Sequence, residues 1–171
     1  MSARSISTTI PPLTDLLAAL SYDALRRIGA FLGVGLRGAG RHRKRTWVLA
    51  IAAFWEDSAR AKTHWEKLSP PARAAHTRLL AAPAAPAALF LSEYGGLRAL
   101  AQLHPPFSSA EQLFLSGLLH AVGGGAPQAA ARLCTPPLNV ALPSNPPAAE
   151  IGAVAEEGHP PHTPLTVLHD I

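Results

Sequence analysis

The chain has 171 residues, 48% hydrophobic and 15% charged, with a net charge of +4; this makeup can bury a core and excludes a wholly disordered chain. A single cysteine, Cys134, excludes an intrachain disulfide, and no run of about 18 apolar residues free of Pro or clustered Gly reads as a membrane span. The charge is unevenly placed: residues 1–80 carry 13 Lys+Arg and 5 Asp+Glu, a net +8, whereas residues 81–171 carry 2 and 6, a net −4, so a polyanion surface belongs in the first half.

Residues 1–12 read as a flexible N-terminus. Arg4 is followed too soon by Pro11, Pro12 and Asp15 to make a signal peptide, so a cytoplasmic protein is expected. Leu13, Leu16, Leu17 and Leu20 recur at helical spacing. Ser21 is an N-cap with Asp23 in the first turn, Leu25, Ile28 and Leu32 carry the apolar face onward, and Gly33 and Gly35 stop it. A second helix is predicted from about Lys44 to Trp55, burying Val48, Ile51, Ala52 and Trp55. Asp57 or Ser58 restarts the chain, and Trp65 and Leu68 anchor the piece that follows. Ser69-Pro70 opens a helix to about Ala82, Pro83 and Pro86 break it, and a short helix covers Ala87 to Tyr94 before Gly95-Gly96. After Pro105-Pro106, Ser108 or Ser109 caps a helix containing Glu111, Leu113, Phe114 and Leu115. Residues 118–122 and 132–135, around the turn 123–127, read as a small hairpin. Residues 144–171 read as a Pro-rich linker and a truncated tail, in which Leu165, Leu168 and Ile171 begin an apolar stripe as the sequence stops.

Between the first two long helices lies the segment Leu36 to Arg45, five of whose ten residues are cationic and none acidic. Positive charge beside a helix N-terminus suits a phosphate backbone. Arg37, Arg41, His42, Arg43, Lys44 and Arg45 are the candidate nucleic-acid-binding residues, with Trp47 added as an aromatic that can stack on a base or pack in the core.

Leu25, Ile28 and Leu32, the Gly38/Gly40 loop, and Arg43-Lys44-Arg45 leading into Val48 and Ile51 resemble a SAP-like helix-extension-helix module over residues 13–67. The segment 68–143 looks like a winged helix. With Leu68-Ser69-Pro70 and Tyr94-Gly95-Gly96-Leu97-Arg98, it is similar to the N-terminal region of bacterial XPB-type helicase-associated proteins. The resemblance implies a mainly α fold: a small helical bundle with a SAP-like helix pair and a winged-helix-like unit bearing one short β-hairpin. It also implies DNA-backbone contact through the loop, a nucleoid location, and a larger helicase-like chain as second partner. The helix of the second unit carries Glu111 and no cation, with Gln112 and Ser116 its polar candidates and Arg132 the cation of its wing. That unit is therefore expected to meet protein or to cap the first module. The alternative to DNA binding is a protein–protein interaction module without nucleic-acid contact.

Other motifs carry less. Gly33-Val34-Gly35-Leu36-Arg37-Gly38 matches G-x-G-x-x-G, but a helix pattern precedes it where a dinucleotide fingerprint needs a strand. No G-x-x-x-x-G-K-[ST] is present, so no ATP site and no cofactor is expected. His159 and His162 are too few for a specific metal site, and Cys134 reads as an inert core thiol. No spacing suggests a catalytic constellation, and an enzyme is not expected.

Overall fold

The computed structural model describes residues 9–38, 43–124 and 126–143. Seven helices appear among them: α1 (Leu13–Ala18), α2 (Tyr22–Leu32), α3 (Lys44–Glu56), α4 (Ser58–Lys67), α5 (Pro70–Ala81), α6 (Ala87–Tyr94) and α7 (Ser109–Leu115). Three short strands join them: β1 (Ala85–Pro86), β2 (His120–Ala121) and β3 (Arg132–Cys134). The fold is thus mainly helical with one small antiparallel sheet. The expectations for the linker and tail at 144–171, for residues 1–8, and for Arg41 and His42 lie outside the described residues.

Local chemistry sets the helix ends. Ser21 accepts from the Ala24 amide, Asp57 from Ala59 and Arg60, and Ser69 from Ala72 with proline inside the first turn. Ser108 and Glu111 form a full capping box. Gly33 closes α2 at φ 69°, where only glycine sits without strain. Its N–H donates to the Ala30 carbonyl and that of Val34 to Gly29.

The sheet has order β1-β3-β2 and pairs Ala85 with Leu133 and His120 with Cys134. The hairpin of β2 and β3 falls where the sequence placed it, though β2 is only two residues long. Strand β1 was not legible. Pro83 and Pro86 read as breakers, yet Pro86 sits on an edge strand, where a missing N–H is tolerated. Arg132 fastens that edge by donating its Nε–H to the Ala84 carbonyl at 2.8 Å.

One apolar cluster runs from Leu13 to Leu133. Hydrogen bonds cross from the first helices to the second half. Trp55 Nε1–H donates to the Ser116 carbonyl at 2.9 Å, the Ser69 amide to Gln112 Oε1 at 3.0 Å, and Arg27 to the Leu103 carbonyl at 3.1 Å. Helix α7 lies at the centre, with Ala110, Glu111, Leu113, Phe114 and Leu115 all buried.

Candidate functional site

The basic segment leaves the α2 cap and ends in α3. Arg37, Arg43, Lys44 and Arg45 are all exposed, and among the described residues none of them forms an ion pair. The N-cap of α3 is Arg43, which makes no side-chain cap, and no acidic residue lies in the first turn. A helix N-terminus carries partial positive charge and unpaired amides, and acidic or Ser/Thr/Asn/Asp residues normally answer both. Here three consecutive cations stand in their place, so the turn gathers positive charge that no ion pair among the described residues offsets.

Helix α2 adds a cation that the sequence reading left out. Arg26 is exposed and lies over the Tyr22 ring, 5.8 Å from its centroid. It lines a groove of about 530 Å³ with Leu36 and Trp47, beside the basic loop. The signal was available: Arg26 falls on the side of α2 opposite Leu25, Ile28 and Leu32.

Of the two readings of Trp47, packing in the core is the one the fold shows, so it is set aside as a nucleic-acid contact. Trp47 is 8% exposed, and its six-membered ring packs on Gly29 so closely that a Cβ there would lie 2.7 Å from Cε3. An indole so enclosed is core and offers no face for base stacking. The polar candidates of α7 are also spent internally. Gln112 bonds Ser69 and the Phe107 carbonyl, and Ser116 is fully buried, giving its hydroxyl hydrogen to the Gln112 carbonyl at 2.7 Å. No side of α7 can enter a groove, because α2, α5 and α6 pack around it.

Glu111, the acid on α7, is 1% exposed. Its carboxylate takes Arg98 Nε–H and Nη2–H at 2.7 Å each and the backbone amides of Arg98 and Ser108. The Arg98 hydrogen bonds, with help from those amides and against the cost of burial, hold its pKa at about 2. Arg98 Nη2 also donates to the His104 and Pro106 carbonyls, binding the 95–107 loop to α7.

Three other features singled out by chemistry take the following places in the fold. The G-x-G-x-x-G stretch follows helix α2 and begins at its cap. Cys134 is buried in β3, and burial pushes its thiol pKa up. His64 Nε2 lies 2.9 Å from Ser116 Oγ. Ser116 has one hydrogen and gives it to Gln112, so His64 is the donor and the hydroxyl is not activated. Burial first, and then Lys67, lowers the His64 pKa to about 4. No helix among the described residues is long and apolar enough to cross a membrane.

No protein-family model matches the chain. A search of curated proteins and a search of solved structures likewise return no match.

Proposed function

We propose that this chain is a non-catalytic nucleic-acid-binding protein that grips the phosphate backbone through the α2–α3 loop and the first turn of α3. The supporting observation is the start of α3, which has no side-chain cap and no acid in its turn, where Arg43, Lys44 and Arg45 stand exposed with no ion pair among the described residues. A bound phosphate supplies the negative charge that the helix end lacks. Arg37 and Arg26 extend the cationic surface along the loop and α2.

The order α5-β1-α6-α7-β2-β3, with the sheet order β1-β3-β2, follows the winged-helix plan and supports that part of the resemblance. The buried α7 moves the contact away from the helix such a unit would use and onto α3. Sequence preference is accordingly low, since the contacts are charge and amide and no side chain is set to read base edges. Association with a larger helicase-like chain remains part of the proposal through the resemblance.

The test is fluorescence anisotropy of a labelled duplex across a salt series. For Z phosphates contacted, log K falls with log salt with a slope of about 0.9Z. Replacing Arg43, Lys44 and Arg45 together with Ala lowers that slope by about 2–3 and weakens all sequences alike. An unchanged slope refutes the assignment.

A further inference from the structure

A second cleft, of about 760 Å³, opens between the C-terminal end of α2 and helix α4. Its walls are aromatic. Phe31 and Phe107 meet edge-on at 5.8 Å, and Phe31 and Phe54 each meet the His64 ring edge-on, at 5.6 and 5.8 Å. Helix α4 presents Arg60, Thr63, His64 and Lys67 to the cleft, at i, i+3, i+4 and i+7, which is one helical face. The Arg60 guanidinium lies 4.9 Å above the Phe54 ring, which holds it at the mouth. Among the described residues no acidic residue lines the cleft, and neither Arg60 nor Lys67 forms an ion pair.

Size, wall and charge agree on one kind of occupant. The volume falls within the range of about 300–1,000 Å³ that takes small organic ligands. Edge-on aromatic walls favour a flat ring. Two unanswered cations favour an anion, and the guanidinium matches a planar or tetrahedral oxyanion through two parallel N–H donors. We propose that this cleft binds a small aromatic anion, a planar ring system bearing one carboxylate, sulfonate or phosphate group. The ring packs against Phe31 and Phe107 and the anionic group meets Arg60, with Lys67 adding to the field. The site shares no residue with the basic loop, so it stands or falls apart from the nucleic-acid reading.

The probe is 1-naphthoate, titrated into the full chain and followed by amide chemical shifts in ¹H–¹⁵N spectra, with neutral 1-naphthalenemethanol alongside. Saturable shifts are expected at Phe31–Gly33, Thr63–Lys67 and Phe107, with the neutral probe bound about tenfold more weakly. That ratio corresponds to one charge-assisted pair of hydrogen bonds. Arg60→Ala with Lys67→Ala, both at exposed positions, should abolish the preference for the anion while the neutral probe still binds. Phe107→Ala, checked for retained fold by circular dichroism, should weaken both probes. Naphthoate binding weaker than about 1 mM, equal binding of the two probes, or an unchanged preference in the double variant overturns the proposal. So does a dimer or bound protein chain that covers this cleft in solution.

Discussion

Buried histidines set an acid limit on this fold. His76 is 2% exposed and His120 1% exposed. His76 stands edge-on to Trp65 at 4.9 Å, and its Nε2 has no hydrogen-bond partner among the described residues. His120 donates Nε2–H to the Gly117 carbonyl at 2.8 Å, which leaves Nδ1 bare and buried. Burial lowers each pKa from 6.5 to about 4. In the unfolded chain both rings protonate near 6.5, so below that pH the unfolded state takes up protons that the folded state refuses. Their contribution to stability is complete above pH 6.5, is lost as pH falls toward 4, and levels off below that. At 1.36 kcal/mol per pH unit the loss is about 3 kcal/mol for each ring and about 7 kcal/mol for the two. Domains of this size are stable by about 5–15 kcal/mol in total, so these imidazoles, together with that of His64, remove a large share of that stability by pH 4. Urea unfolding followed by far-UV circular dichroism at pH 7.5, 5.5 and 4.5 measures this directly. With a slope of about 2 kcal/mol/M the midpoint should fall by about 3 M between the extremes. His64 is lowered to about 4 as well and adds to the same window, so His76→Leu should remove about a third to a half of the pH dependence. Equal midpoints at pH 7.5 and 4.5 would refute the argument.

Other perturbations act on particular contacts. Arg98→Ala should lower the thermal midpoint and raise the Glu111 pKa from about 2 toward and past ordinary carboxylate values, read by side-chain carboxyl NMR; Glu111→Gln added to it should recover part of the loss. Because that pKa is depressed, the Glu111 contribution is present above about pH 4.5 and disappears as pH falls to about 2, a separate and lower window than that of the histidines. Gly29→Ala drives a methyl into the Trp47 ring and should cost about 1–3 kcal/mol in urea unfolding. Ala84 is held at φ 63°, a conformation costing a non-glycine residue about 1–2 kcal/mol, so Ala84→Gly should raise stability by about 0.5–1 kcal/mol after the added freedom of the unfolded chain is counted.

Helix boundaries were legible because their signals are local. Ser21, Asp57, Ser69 and Ser108 cap within three residues, and Gly33 and Gly95 follow helix ends with positive φ. Apolar spacing likewise placed Leu13, Leu16, Leu17 and Leu20 in the core. What failed depends on partners distant in sequence. Strand β1 is two residues whose pairing is decided by Leu133 and Arg132. The partner of Glu111 is Arg98, thirteen residues earlier, and the burial of α7 comes from α2, α5 and α6 packing around it. The basic loop was legible because clustered charge is a property of sequence. The aromatic cleft was not, because Phe31, Phe54 and Phe107 come from three separate segments, although Arg60, Thr63, His64 and Lys67 already shared one helical face.

The bond from Trp55 to the Ser116 carbonyl also has a consequence in time. Its partners are 61 residues apart. A ribosome adds about 5–20 residues each second, so about 3–12 s pass between the making of Trp55 and the making of the carbonyl it needs. Until then the Trp55 indole, buried in the finished fold, has no acceptor for its N–H. The earlier helices must therefore wait, partly assembled, for a residue not yet synthesised, and the nascent chain spends those seconds with apolar surface open to whatever is nearby.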